Sequence, residues 1–251
     1  MIIKNINKVL QKMGYSINKT GPSIPLDLRE EKEFLSFYDA CKPYTQTSIE
    51  RLFSLYKACL YVIENRLEGD LVECGVWKGG SSMMMALTFL SRGVVDKTIY
   101  LYDTFEGMSD PTEHDVSING KLAKEQLLEE DKLRDDSIWC YAPFDEVVQN
   151  MDLTGYPQDK VKLVKGKVED TLPAIKPENI ALLRLDTDWY ESTKMELEIL
   201  YPLLVTNGPL IIDDFGHWEG AKKAVIEYFQ HQGISPLLQR IDITGRLHIK
   251  L

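Results

Sequence analysis

The feature that most constrains this chain is an alternation that begins after Gly69. Short apolar runs rich in β-branched or aromatic residues recur there: DLVECGV (70–76), TIYLYD (98–103), VKLVKG (161–166), ALLRLD (181–186) and GPLIIDD (208–214). Helical stretches separate them. A run that is apolar on both faces suits a strand covered on both sides, and strands alternating with helices build a parallel sheet from βαβ units. The C-terminal LLQRIDITGRLHIKL reads as two strands meeting at Thr244-Gly245, which predicts an antiparallel edge hairpin. Upstream, residues 1–66 read as a helical cap. It comprises a helical extension broken by the turn-rich NKTGPSIP, then a helix opened by the capping-box pattern Thr47-Ser48-Ile49-Glu50. Ile49, Leu52, Phe53, Tyr56, Leu60 and Ile63 follow at three- and four-residue spacing and predict its buried face. The expected architecture is α/β: a cap over 1–66, then an open, mostly parallel sheet with an antiparallel edge over 67–251.

Composition bounds the partners. With 29 basic against 39 acidic side chains the net charge is −10, which argues against nonspecific binding to nucleic acid or an anionic membrane. The longest uncharged stretches, Gly79 to Ser91 and Ile199 to Ile212, fall short of the ~20 residues that span a bilayer. The N-terminus opens Met-Ile-Ile-Lys and turns polar, without the pattern of a signal peptide. Cys41, Cys59, Cys74 and Cys140 show neither CxxC spacing nor scaffold density. A soluble cytoplasmic protein with reduced thiols is expected. Residues 106–136, with ten acidic and four basic residues, form a long polar connection. It reads either as a solvated helical insertion or as a mobile lid beside the site.

Two constellations carry chemistry. The first strand runs into Glu73-Cys74-Gly75-Val76-Trp77-Lys78-Gly79-Gly80-Ser81, followed by an apolar helix. Glycines between a strand and a helix let the backbone approach a ligand closely at the carboxyl edge of the sheet. The spacing is E-x-G-x-x-x-G rather than G-x-G-x-x-G, and a carboxylate beside the turn repels phosphate but suits a cationic ligand. S-adenosylmethionine, with an ammonium, a sulfonium and no phosphate, fits. Asp103, at the end of the second strand in Asp103-Thr104-Phe105, can accept both ribose hydroxyls.

The second constellation is acidic. Asp186 and Asp188 sit two apart at the end of the fourth strand, and Asp213 and Asp214 close the fifth. Parallel neighbours end on the same edge, so four carboxylates would converge. Like charges raise one another's pKa unless a cation relieves them. Oxygen ligands without His or Cys favour magnesium, with manganese or calcium as alternatives. The competing reading is that individual aspartates cap the following helices. His217 and Trp218 follow closely, the aromatic as a floor for a sugar or phenol, the histidine as a base, a hydrogen-bonding group or a helix cap. Tyr190-Glu-Ser-Thr-Lys194 matches the YxxxK pair of short-chain dehydrogenases, but the nucleotide-binding glycines are absent.

The segments YTQTSIERL, LVECGVWKGGSSMM, YLYDTFEGM, GYPQDKVKLVKGKVEDTLP, LLRLDTDWYEST and IIDDFGHWEGAKKAV, in that order across residues 44–230, resemble the macrocin O-methyltransferase (TylF-like) family of sugar methylases. The resemblance implies a class I methyltransferase fold, S-adenosylmethionine as donor and a magnesium ion that chelates two substrate hydroxyls. By the same resemblance Asp186, Asp213 and Asp214 are the metal ligands and Asp188 the general base. Glu73, Gly75, Gly79 and Ser81 form the methionine-binding turn, with Asp103, Thr104 and Phe105 at the ribose. Gly166, Glu169 and Asp170 line the adenine side, Asp186 also borders the donor, and Thr45, Thr47 and Arg51 fold over it. The acceptor is then a sugar or glycoside, with a catechol-like hydroxyl or a non-catalytic donor-binding role as alternatives. A homodimer or larger homo-oligomer is the expected assembly.

Overall fold

A computed structural model describes Leu10, residues 24–134 and residues 136–251. The expected N-terminal helical extension lies, up to residue 23 and apart from Leu10, outside the described residues. Met1–Leu35 and Ser36–Leu251 are two compact units. In the first, the chain makes a short 3-10 turn at Leu26–Leu28. The second contains the sheet and residues 36–66 of the segment expected as a cap.

The elements run α1 (Lys32–Cys41), α2 (Ile49–Glu64), β1 (Asp70–Cys74), α3 (Gly80–Ser91), β2 (Ile99–Asp103), α4 (Ala123–Glu129), α5 (Phe144–Asp152), β3 (Val161–Lys165), α6 (Val168–Thr171), β4 (Ile180–Leu185), α7 (Tyr190–Leu200), β5 (Pro209–Ile212), α8 (Glu219–His231), β6 (Gln239–Arg240) and β7 (Arg246–Ile249). The sheet order is β3-β2-β1-β4-β5-β7-β6. The first five strands are parallel; β7 runs antiparallel to β5, and β6 antiparallel to β7. This is the expected open sheet with a hairpin edge. The order reverses between β1 and β4, and ligands of open α/β sheets bind in the crevice beyond the carboxyl ends at such a point.

The central strands are buried because helices cover both faces. Every residue of β4 is buried, as are four of the five in β1. On one side Leu183, Leu197, Leu200, Val225 and Phe229 pack β4 against α7 and α8. On the other, α3 is itself almost wholly core, with Ser81 to Ala86 buried, and α2 packs on it. Two local expectations are corrected here. The N-cap of α2 is Ser48, whose hydroxyl accepts from the Arg51 N–H at 3.1 Å, rather than Thr47, whose hydroxyl is engaged by a buried arginine. The buried stripe of α2 runs Leu52, Leu55, Tyr56, Cys59 and Val62, while Ile49, Phe53, Leu60 and Ile63 are half-buried. The helix is rotated so that its small residues, Ala58 and Cys59, are among those buried, which permits a close approach of neighbouring elements.

The 106–136 connection is docked. Asp115 is fully buried, its Oδ1 accepting the first N–H of α7 at Tyr190 (2.8 Å) and its Oδ2 the Thr112 N–H (2.7 Å). Ile118 N–H donates to the His217 carbonyl, and Glu219 N–H to that of Val116. Beneath it Ala123 and Leu127 join Trp189, Trp218 and Ala221 in a small second core. All four cysteines are free thiols, and no described helix is long and apolar enough to cross a membrane.

Candidate functional site

A cavity of about 310 Å³ opens at the carboxyl edge over β1, β2, β4 and β5, within the range typical of small-ligand pockets. Its floor is the turn between β1 and α3. Gly75 has φ +80°, and a Cβ there would lie 1.9 Å from the Asp186 carbonyl oxygen, so only glycine lets the two strand ends meet. The turn is braced by Asp103, whose Oδ2 accepts the N–H groups of Val76 (2.7 Å) and Trp77 (3.1 Å) and whose Oδ1 accepts that of Phe105 (2.7 Å). Burial raises the Asp103 pKa, and these backbone donors work against the rise.

Of the residues expected at the donor, Thr45, Thr47, Arg51, Gly75, Ser81 and Asp103 line this cavity. So do Thr104, Gly166, Glu169 and Asp186. Glu73 does not. It is fully buried, and its carboxylate accepts from the Ser81 hydroxyl (2.5 Å), the Ser82 hydroxyl and the Arg184 guanidinium. The carboxylate expected to face a cationic ligand is already neutralised from within the protein. Gly79, Phe105 and Asp170 also lie off the wall: Gly79 caps α3 in the left-handed region, the Phe105 ring packs edge-on against Phe144, and Asp170 is exposed on the one-turn α6.

The acidic cluster forms, with a changed membership. Carboxylate oxygens of Asp186, Asp188 and Asp214 lie within 4.8 Å of one another. Asp213 is not among them. Its Oδ1 accepts from Arg184 Nη2 at 2.7 Å and its Oδ2 from Arg51 Nη1, both side chains of the Asp213–Arg184 pair being almost fully buried. Asp213 is held away by its two arginines, while Asp214, the next residue in the bend that follows β5, turns to the group. Asp186 is shared, with Oδ2 2.7 Å from Arg184 Nη1. Asp188 is turned back toward the group by a tight reversal in which the Trp189 N–H reaches the Thr187 carbonyl (2.7 Å) and Asp188 itself takes φ +67°. The Thr187 hydroxyl anchors that reversal to the buried Glu196 of α7 (2.8 Å). Trp77 and Cys140, on the same wall, also hold positive φ, so strained backbone gathers at this cavity.

Crowding sets the titration of the group. Burial, then the charges of Asp213 and Asp214, lift the Asp186 pKa well above the carboxylate range, with Arg184 opposing. Burial and the Asp188 charge do the same for Asp214. Asp188 is pushed up to about 7, mainly by burial. Asp214 Oδ2 is buried with no hydrogen-bond partner among the described residues. Three converging oxygens, one orphaned, with no nitrogen or sulfur ligand in the group, fit a hard divalent cation. His217 lines the same cavity, half-buried; burial and then Arg51 hold its pKa below the usual value, so its ring is neutral near pH 7.

Sequence reasoning missed Arg184, hidden inside an apolar strand; its one visible signal was that a cation buried on both faces demands carboxylate partners. It also missed Met108, Ser109, Ile138 and Cys140 on the cavity wall. Tyr190, of the discounted YxxxK pair, directs its hydroxyl to Glu227 (2.7 Å), outside the cavity.

Residues 38–250 match the family described as Macrocin-O-methyltransferase (TylF). A Streptomyces olivaceus protein, 8-demethyl-8-(2,3-dimethoxy-alpha-L-rhamnosyl)-tetracenomycin-C 4'-O-methyltransferase, is 33% identical over 202 residues, 80% of this chain and 74% of the relative. Demethyldecarbamoylnovobiocin O-methyltransferase of Streptomyces niveus matches at the same identity and coverage. Among solved structures, the O-methyltransferase NovP superposes with a TM-score of 0.72 at 31% identity, covering 82% of both chains. The calicheamicin methyltransferase CalS11, at 18% identity and a TM-score of 0.59 over 92% of this chain and 99% of its own, shares the fold.

Proposed function

The chain belongs to the macrocin-O-methyltransferase (TylF) family, and on that premise we propose that it methylates a hydroxyl of a sugar or glycoside, with S-adenosylmethionine as donor and magnesium as the metal. It is an O-methyltransferase of class I fold. The relatives named above support the acceptor class, since one acts on a rhamnosyl group and another on a novobiocin precursor.

When bound, the donor would supply a methyl group on a sulfonium whose sulfur departs as a neutral thioether, and the cation would supply Lewis acidity toward a hydroxyl oxygen. The protein's own share is placement and proton removal. The Gly75–Ser81 turn, Asp103, and Gly166 to Glu169 bind and orient the donor; Thr47 and Arg51 close its side of the cavity. Asp186 and Asp214, two of the three converging carboxylates, hold the cation. Asp213, a ligand by the family resemblance, joins them only by releasing Arg51. That leaves Asp188 to take the proton of the acceptor hydroxyl onto a carboxylate oxygen, a role for which a pKa near 7 is apt. His217 flanks the acceptor space, where its neutral imidazole hydrogen-bonds a sugar hydroxyl, and Trp218, held in the second core, borders it. Holding two reactants aligned contributes up to roughly 7–11 kcal/mol in ideal systems.

The observation that carries this reading is the convergence of Asp186, Asp188 and Asp214 on the wall that also holds the glycine turn. Labelled donor offered with a panel of glycosides and catechols tests it. Label transfer to a glycoside, abolished by EDTA and restored by magnesium, is the expected result. Transfer to a catechol moves the acceptor class, EDTA-resistant transfer removes the metal, and donor binding without any transfer removes the catalytic reading. The assembly proposed is a homodimer or larger, which light scattering checks.

A further inference from the structure

Arg184 stands in the middle of a fully buried strand, with its side chain 1% exposed, and its fork reaches four elements at once. Nη1 meets the Glu73 carboxylate of β1, the Ser81 hydroxyl of α3 (3.3 Å) and Asp186 Oδ2 at the end of β4 (2.7 Å). Nη2 meets Asp213 Oδ1 at the end of β5 (2.7 Å) and the Thr47 hydroxyl just before α2 (3.1 Å). Two of these partners, Thr47 and Ser81, are on the donor side of the cavity; Asp186 and Asp213 border the acidic cluster. The guanidinium is rigid and planar, so a shift that satisfies one set of partners moves the other. A lysine would supply the charge but not the span.

We propose that Arg184 is a positioning residue that couples the two halves of the site, so that occupancy of the donor side tightens binding of a divalent cation at the acidic side. The inference rests on the proposed function above. A ligand held against Thr47 and Ser81 fixes the fork, and the fixed fork holds one oxygen of Asp186, leaving its other oxygen aimed, while Asp213 stays held between Arg184 and Arg51. The ordering of the Asp186 carboxylate is then done before the cation arrives. Coupling of this kind is reciprocal: the cation must tighten the donor-side ligand by the same factor.

S-adenosylhomocysteine is the donor-side probe, because without the sulfonium charge it exerts no direct repulsion on a metal ion; Mn²⁺ is the metal probe. Calorimetric titrations of Mn²⁺ with and without S-adenosylhomocysteine, and the reverse pair, are run on the native chain, R184K and T47V. The native chain is expected to bind Mn²⁺ at least about fivefold tighter with the nucleoside present, the low end of ordinary coupling. In R184K and T47V that ratio falls toward one, whatever happens to each separate affinity, a result that general destabilisation does not produce. Should R184K fail to fold, T47V, which removes one hydroxyl and no charge, decides. A native ratio of one, or an unchanged ratio in the folded variants, overturns the coupling and leaves the functional reading standing. No Mn²⁺ binding to the native chain under any condition overturns the metal reading as well.

Discussion

At the ends of β1 and β2 both oxygens of Glu73 and both oxygens of Asp103 accept hydrogen bonds, from two serines and an arginine in one case and from three backbone N–H groups and the Thr104 hydroxyl in the other. At the ends of β4 and β5, the next strands along the same edge, Asp214 keeps an orphaned oxygen, and Asp186, Asp188 and Asp214 all have pKa values raised by burial. Asp213, beside them, has both oxygens paired with arginines. Both regions are strand ends of one sheet, and both are rich in carboxylates. The difference shows that a buried carboxylate is a structural part when the chain supplies its partners. It becomes an instrument when the chain withholds them.

The contrast breaks first at Asp188. D188N is expected to lower kcat by about 10²–10⁴-fold, the usual worth of a general base, while calorimetric donor affinity stays put. Unchanged turnover would return Asp188 to the structural class. Next is Asp213, the one satisfied acid of its half. D213A leaves Arg51 and Arg184 short of a partner, and removing one member of a buried ion pair costs about 3–5 kcal/mol, read from denaturant unfolding. A loss under about 1 kcal/mol would show that the arginines re-pair with Asp242, Glu73 or Asp186. On the satisfied side, D103N keeps only one acceptor oxygen for three N–H groups. Donor affinity should weaken about tenfold, near 1.4 kcal/mol, with kcat at saturation retained. A kcat defect instead would place Asp103 nearer the chemistry.

The last effect is a slope. The folded Asp188 pKa near 7 lies above the ordinary value of about 4, so the folded chain binds this proton more tightly than the unfolded one. Its stabilising contribution is complete below pH 4 and is lost as pH rises through 7. Between pH 5.5 and 7.5 this group should cost the metal-free protein about 2 kcal/mol, a loss that saturating magnesium reverses and that D188N lessens. A thermal midpoint that rises over this window without metal would contradict the crowding.

Much of this was legible in advance, for physical reasons. The central parallel strands declared themselves because strands covered on both sides must be apolar throughout, edge strand β3 by lysines set among apolar residues, and the hairpin because Thr244-Gly245 interrupts two extended runs. Asp186, Asp188 and Asp214 were legible as strand-end acids. Asp213 was grouped with them because the arginines that pair with it, Arg51 and Arg184, stand far from it in sequence. Arg184 was hidden because hydropathy averages it into ALLRLD. The docking of residues 106–136 was hidden more deeply: acidic composition reads as solvation, yet Asp115 is spent on an N–H 75 residues away.

That last contact bears on attempts to re-engineer acceptor range. Gly220, at the start of α8, faces Asp115 so closely that a Cβ there would lie 1.9 Å from Oδ1. The segment ahead of α4 and the glycine of α8 therefore form a lock and its ward, cut to each other. A graft of this segment from a relative that changes position 115 will seat only if the relative's residue at position 220 is brought along with it.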